Sequence, residues 1–317
     1  LILRQYTQKG HLILMKNELF ETTPVPKAYL TLAFPVALSM MVSLIYNMVD
    51  TYFIALTGKQ DLVAGVSLAV PVFTLMIAFG DIFGLGGSSI ISRLLGEKNE
   101  TAAKKASAFC IWTSIGFGLL VTLILLLFRA PVLALLGAKG TTYQHASDYY
   151  TWIAIGSAAI IFGLVPSNIL RTEGMAAQAM IGSILGSIIN IVLDPMFIFV
   201  LNQGAAGAAI ATVISQAISF LSALIYLIVK RESFGFTFSR ASLKIHGPTL
   251  KILTKLGVPL AFQMAAISIS MLFVNSFVNA YGEAASAVYG AGLKLQNIPS
   301  IITHGMSTAN ASMVGQN

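Results

Sequence analysis

The sequence carries very little charge and almost no cysteine. Only 10% of its 317 residues are Asp, Glu, Lys or Arg, whereas 56% are hydrophobic, and the mean hydropathy is +0.82. A soluble domain of this size would carry about 25% charged residues. The composition therefore excludes single-domain soluble enzymes, nucleic-acid-binding proteins and disordered proteins. The single cysteine, Cys110, excludes a disulfide framework and a cysteine-based metal site. These absences predict an all-α integral membrane protein.

Eight apolar segments are long enough to cross a bilayer, which takes about 20 helical residues. These predicted spans 1 to 8 lie at about 31–57, 62–94, 103–128, 146–170, 177–201, 205–229, 251–281 and 284–316. With a cytoplasmic N-terminus, thirteen Lys and Arg residues fall on the inner side and only Lys59, Arg129 and Lys139 on the outer side. Because basic residues concentrate on the cytoplasmic side, we expect a multi-pass protein of a bacterial-type inner membrane with its N-terminus inside.

An internal repeat divides these spans into two groups. Residues 34–40 read FPVALSM and residues 258–264 read VPLAFQM, with Pro259 placed 224 residues after Pro35. Six predicted spans separate the two copies, so both enter the membrane from the same side. Such a parallel repeat occurs in some secondary transporters. The sequence therefore predicts a six-helix N-lobe followed by the first two helices of a second six-helix lobe.

Four regions follow from the repeat. Residues 1–27 are expected to form a cytoplasmic N-terminal segment, 28–230 the N-lobe, 231–250 a cytoplasmic inter-lobe loop and 251–317 an incomplete C-lobe. The first methionine is Met15, so we interpret residues 1–14 as translated upstream sequence. The second copy of the repeat ends four helices short of the first, which predicts a C-terminally truncated fragment.

Three carboxylates, Asp50, Asp81 and Asp194, lie in apolar runs. A charge there costs at least about 2.5 kcal/mol and usually marks an ion or substrate path. Asp50, Asp194 and Thr212 each lie about seven residues from the outer end of a span, or about 10 Å deep. Three helices thus place oxygen atoms at one level. Two carboxylates close together in such a place would share one proton.

Neighbouring polar groups extend this set. Asn190 lies one helical turn before Asp194, and Tyr46 lies one turn before Asp50. Carboxylate, amide and hydroxyl oxygens suit a proton or a small hard cation such as Na⁺, and no other metal is expected. Taken singly, Asn190, Thr212 and Tyr46 are also explained as groups that cap or join helices. Together they predict a cation-coupling and substrate pocket.

Three further positions are less specific. Pro195 is expected to bend its helix; because it cannot donate to the carbonyl of Ile191, it also leaves one more oxygen near Asp194. Asp81 lies toward the cytoplasm in a glycine-rich stretch, where an inward cavity would solvate it. Lys294 is the only base that the sequence places well inside a predicted span. It either pairs with a carboxylate or extends to the interface. The glycines around Asp81 follow no strand, so we expect close helix packing and not a nucleotide-binding loop.

Several short stretches resemble the multidrug and toxic compound extrusion (MATE) transporters. The matching residues are Pro35 and Asn47–Thr51 in span 1, Gly87–Ser89 and Arg93–Gly96 near the end of span 2, Asn190 and Leu193–Pro195 in span 5, and Gly315–Asn317. The resemblance runs from about residue 26 to the end. It implies a family total of twelve helices in two lobes and cation-coupled export by alternating access.

The resemblance also implies roles for individual residues. The N-lobe cation site would comprise Asp50, Asn190, Asp194 and Thr212, with Tyr46 in the same network. Pro35 matches a proline proposed to bend span 1 when that site is protonated, and an Asp at position 194 resembles the DinF-like branch. The family implies no cofactor beyond H⁺ or Na⁺ as the coupling ion, a cationic amphipathic substrate, and a monomer at full length.

These observations predict an antiporter that exports drugs or other amphipathic compounds. The alternative is a flippase of the same superfamily that moves lipid-linked oligosaccharide precursors. A flippase would need a large cationic cavity. Beyond Lys294, which belongs to the second lobe, the sequence offers few buried bases that could line one. We expect no enzyme, because the chain lacks a His/Glu zinc pattern and a Ser/His pair. An ion channel suits an asymmetric pair of acids less well than a gated site does.

Overall fold

Long α-helices form the described part of the protein. The computed structural model describes residues 23–230, 247–279 and scattered positions between 281 and 315. The helices are α1 (Val25–Leu56), α2 (Gln60–Gly96), α3 (Glu100–Leu127), α4 (Arg129–Leu135), α5 (Thr141–Thr172), α6 (Ala176–Pro195), a π-helical turn (Met196–Val200), α7 (Gly204–Val229) and α8 (Gly247–Asn279). Within these ranges no strand occurs, and the all-α prediction is confirmed.

Six of these helices are long and apolar enough to cross a membrane. They are α1, α2, α3, α5, α6 with its π-helical turn, and α7, and they correspond to predicted spans 1 to 6. Most of their ends extend a few residues beyond the predicted ones. Predicted span 7 coincides largely with α8. Most of predicted span 8, including Lys294, lies outside the described residues.

The structure differs from the predicted boundaries in two places. Residues Arg129–Leu135, predicted as a connection, form α4, whose Leu133 is buried while Leu135 is 88% exposed. Helix α8 begins at Gly247, inside the predicted loop 231–250. Pro248 lies in its first turn, where the missing N–H of proline breaks no helical hydrogen bond. The length of the apolar runs therefore located the spans, but it did not predict the amphipathic helical turns at their ends.

Helix α5 is the centre of the bundle. Its most apolar window is 72% buried, against 22–39% for the other five membrane-spanning helices. Helices α2, α3 and α7 pack around α5, while α6 packs between α7 and α1. Helix α8 packs on the outside of α2. This arrangement leaves space between α1 and α6 on one side and α2, α5 and α7 on the other.

Glycines allow α2 to approach its neighbours closely. A Cβ on Gly80 would lie 2.7 Å from Leu164 Cδ1, and one on Gly84 would lie 2.8 Å from Asn168 Nδ2, both on α5. Small residues are favoured at membrane helix contacts because apolar lipid leaves close packing as a main source of attraction. The glycine-rich stretch of α2 is thus a packing surface, as predicted.

Candidate functional site

A cavity of about 560 Å³ lies between α1, α2, α5, α6 and α7. In the predicted orientation, α1 and α6 run outward while α2, α5 and α7 run inward. The outer end of the cavity is lined by Tyr46, Asn190 and Thr212, and the inner end by Asp81, Asn168 and Arg171. Three residues of the predicted pocket therefore line one end of the cavity and Asp81 lines the other, whereas Asp50 and Asp194 are not among the lining residues.

Beside Asn190, at the outer end of the cavity, two acids from different helices meet. The carboxyl groups of Asp50 on α1 and Asp194 on α6 are close enough to share a hydrogen bond. Asp194 is fully buried. Two buried carboxylates at this separation repel each other unless a proton or a cation lies between them. The fold thus joins the two residues that the depth count placed at one level.

Three oxygen atoms of this group lack a hydrogen-bond donor. The Asn190 amide donates to Asp194 Oδ1 at 3.3 Å, and Asn190 is 1% exposed. Asp50 Oδ1, Asn190 Oδ1 and Asp194 Oδ2 are buried and accept no hydrogen bond from the described residues. Oxygen acceptors of this kind suit a proton or a hard cation such as Na⁺. The oxygen ligands at this site therefore fit the predicted coupling ion.

Aromatic and amide side chains surround the acid pair. The Tyr46 hydroxyl lies beside the side chains of Asn47 and Gln216 and within the electrostatic influence of Asp50 and Asp194. Thr212 is 6% exposed on the wall of the cavity, one turn before Gln216 on α7. Tyr46 and Thr212 therefore belong to the surroundings of the predicted pocket.

Sequence reasoning missed two members of this group. Gln216 is four residues after Thr212, and this same-face spacing could have identified it. Tyr149 of α5 is buried and lies within the electrostatic influence of the acid pair. It occurs in the stretch Ser147–Tyr150, near the outer end of its helix, and no periodic pattern distinguishes it from Tyr150.

The two prolines occupy different kinds of backbone. Pro35 lies inside α1, which continues through it without interruption. Pro195 ends α6, and the π-helical turn follows directly, with the Leu201 N–H donating to the Met196 carbonyl at 2.9 Å. A proline lacks the N–H that would continue the α-helical pattern, and π turns occur frequently at functional sites. The bending roles of both prolines stay predictions.

Hydroxyl groups line the wall between the two ends of the cavity. Ser43 donates to the Ser39 carbonyl at 2.9 Å, Ser187 to the Ser183 carbonyl at 3.0 Å, and Ser215 to the Ala211 carbonyl at 2.6 Å. Because each hydroxyl hydrogen is used within its own helix, the oxygen lone pairs remain available as acceptors. The wall is therefore polar without carrying a charge.

A mixed pair of charges occupies the inner end. Asp81 is buried, and the Arg171 Nη1 donates to Asn168 Oδ1 at 3.4 Å. The prediction placed Arg171 in the connection after span 4, and this was wrong, because α5 continues to Thr172. The expectation that the lobe offers few buried bases beyond Lys294 also overlooked this guanidinium, whose Nε is buried.

Comparison with known proteins gives consistent results. A family model described as MatE matches residues 35–196. The multidrug export protein MepA of Staphylococcus haemolyticus is 32% identical over 96% of this chain and 67% of its own length. MepA of Staphylococcus aureus strain NCTC 8325 is 30% identical with the same coverage. The chain thus spans about two thirds of the length of these relatives.

Solved structures are similar over the same region. One is an outward-facing multidrug resistance MATE family transporter of the MOP superfamily, with a TM-score of 0.86, 30% identity, and coverage of 94% of this chain and 67% of that one. A MATE protein crystallised with MaD3S has a TM-score of 0.87, 30% identity, and coverage of 95% and 68%. These likenesses support the expected family resemblance; they do not test the DinF-like branch.

Proposed function

Because the chain belongs to the MatE family of membrane transporters, we propose that it exports small amphipathic organic compounds by alternating access, coupled to H⁺ or Na⁺. The single observation that carries this proposal is the contact between Asp50 and Asp194, next to Asn190, which donates to Asp194 and lines a cavity of about 560 Å³. A cavity of this size is typical of sites for drug-sized molecules. The similar proteins named multidrug exporters support the same substrate class.

In the proposed mechanism, the coupling ion neutralises the acid pair. Without an ion, the two carboxylates repel and favour separation of α1 from α6, which pack against each other. A proton or Na⁺ held by Asp50, Asn190, Asp194 and Thr212 supplies the missing positive charge and draws the helices together. Only a difference in ion affinity between the two states can drive the substrate outward. Bending of α1 at Pro35 is the proposed structural response.

Two other functions fit the cavity less well. A flippase for pyrophosphate-linked precursors would need several bases, whereas the described lining of the cavity contains Arg171 as its only base, accompanied by Asp81. An enzyme would need a reactive group near substrate, and the outer end offers carboxylates, an amide and hydroxyls in the arrangement of an ion site. We therefore propose transport without a catalytic role and without a cofactor.

The coupling ion is testable in proteoliposomes that contain the purified protein. Efflux of a fluorescent cationic dye is measured under an imposed pH gradient and, separately, under an imposed Na⁺ gradient. We expect one gradient to accelerate efflux about tenfold or more, a size typical of coupling between two sites. The same gradient should have no effect on Asp50→Asn. Dye efflux by the wild-type protein that ignores both gradients would contradict ion coupling.

We propose that the N-terminus is cytoplasmic in the inner membrane. Buried Cys110 is replaced by Ala, and single cysteines are then introduced at Lys59, in the α1–α2 connection, and at Lys104, on α3. A membrane-impermeant maleimide added to intact cells should label Lys59→Cys at once and Lys104→Cys only after the cells are opened. Labelling in the opposite order would reverse the proposed orientation.

A further inference from the structure

The inner end of the cavity carries an acid and a base that do not touch. Asp81 of α2 is 7% exposed, and both Asp81 and Arg171 line the cavity. In the described part of the chain, contact ion pairs such as Arg93–Glu97 at 2.9 Å join exposed side chains, and none joins Asp81 to Arg171. Asp81 is nevertheless the charge that acts on the Arg171 guanidinium. Both charges therefore face the cavity within electrostatic range but without direct compensation.

Packing holds Arg171 in this position. The Asn168 amide donates to the Leu164 carbonyl at 2.8 Å, which orients its Oδ1 toward Arg171 Nη1 at 3.4 Å. Gly84 of α2 presses against the same amide, since a Cβ there would lie 2.8 Å from Asn168 Nδ2. The Arg171 Nε is buried and has no acceptor among the described residues. A buried, charged donor without an acceptor is unfavourable, and an anionic ligand would relieve that cost.

Resting on the export function above, we propose that this inner end binds the polar head of a zwitterionic amphipathic substrate. The substrate carboxylate binds Arg171, whose planar guanidinium matches a carboxylate geometrically. Its ammonium group binds Asp81. The outer end of the cavity lies beside the acid pair and has no base among its described lining residues, so it offers no comparable place for an anion.

The walls next to the charged pair suit the remainder of such a molecule. Phe73, Leu85 and Phe220 line the same cavity and provide apolar surface. An elongated substrate can thus place its apolar body against these side chains and its charged groups against Asp81 and Arg171. The acid pair at the outer end stays free to bind the coupling ion.

Two matched compounds separate the proposed recognition from simple cation binding. The first is a quinolone that carries a piperazinium and a carboxylate, and the second is its methyl ester, which keeps the cation and loses the anion. Binding to purified protein is measured by fluorescence quenching, and export is measured in proteoliposomes. Arg171→Gln is compared with Arg171→Lys, and Arg93→Gln serves as the control because its side chain is 72% exposed.

Arg171→Gln should weaken binding and export of the zwitterion about tenfold, the loss expected for a charge-assisted hydrogen bond, and should change the ester less than about twofold. Arg171→Lys should restore part of the zwitterion binding, and Arg93→Gln should change nothing. If Arg171→Gln does not fold, Arg171→Lys is used instead; it keeps the charge but loses the planar guanidinium, and it should still weaken binding of the zwitterion more than binding of the ester. Equal losses for both compounds, or no loss, would overturn the proposal. Zwitterion binding that depends on Arg171 without any export would instead contradict the export function alone.

Discussion

Asp194→Asn is expected to abolish ion-coupled export and to leave membrane insertion intact. The amide carries no charge, so it binds a proton or a cation far more weakly than a carboxylate does, and the repulsion of Asp50 that distinguishes the two states disappears. Because Asp194 is fully buried in a membrane-spanning helix, removing its charge does not hinder insertion. We expect the gradient-driven rate to fall roughly 100-fold, near the upper end of typical coupling between sites. The rate is measured as dye efflux in proteoliposomes.

The matched control for this experiment is Asp61→Asn. Asp61 is exposed in the first turn of α2 and does not line the cavity, so the same substitution removes the same charge without touching the cavity. Its export should equal that of the wild-type protein. Wild-type rates for Asp194→Asn, at an equal amount of protein in the membrane, would rule out the proposed ion site.

Gly186→Leu is expected to destabilise the N-lobe and to eliminate transport. A Cβ at position 186 of α6 would lie 2.8 Å from the Ser215 carbonyl oxygen and 2.9 Å from Ser219 Cβ, both on α7. The nearest atom belongs to backbone, so α6 and α7 must move apart, and overpacking of this kind costs about 1–3 kcal/mol. Asn190 and Asp194 lie on the displaced helix. We expect the unfolding temperature in detergent to fall by several degrees.

Gly116→Leu is the control for this second substitution. Gly116 lies within α3 and has no neighbouring atom within 4 Å of the added Cβ. The intrinsic preference of the helix for leucine over glycine is the same at both positions, so the difference between the variants isolates the α6–α7 contact. Equal unfolding temperatures for the two variants would show that this contact tolerates a side chain.

The sequence predicted the fold well because the bilayer imposes a simple requirement on helix length. Each of the first six predicted spans corresponds to an observed membrane-length helix. The short helix α4 was missed because its length is far below that of a span and Leu133 is its only buried residue. Arg171 was misplaced for a related reason: hydropathy falls at the end of a span whether or not the helix continues.

The sequence predicted how deep the candidate site residues lie in the membrane but not which way their side chains face. Counting residues placed Asp50, Asp194 and Thr212 at one level, because the rise per residue of a helix is fixed. Rotation about each helix axis depends on packing, and the sequence alone did not show that the carboxyl groups of Asp50 and Asp194 would meet. Tyr149 was not predictable at all, since it lies within the electrostatic influence of the acid pair only because α5 is at the centre of the bundle.

The π-helical turn after Pro195 has a mechanical consequence. The Phe197 carbonyl of this turn accepts a hydrogen bond from the Gln203 N–H at 3.0 Å, and Gly207 of α7 packs so closely on it that a Cβ would lie 2.7 Å from its oxygen. These two contacts hold the connection between α6 and α7 rigidly against the first turn of α7. We therefore expect any displacement of Asp194, the proposed ion-binding residue, to move the first turn of α7 with it.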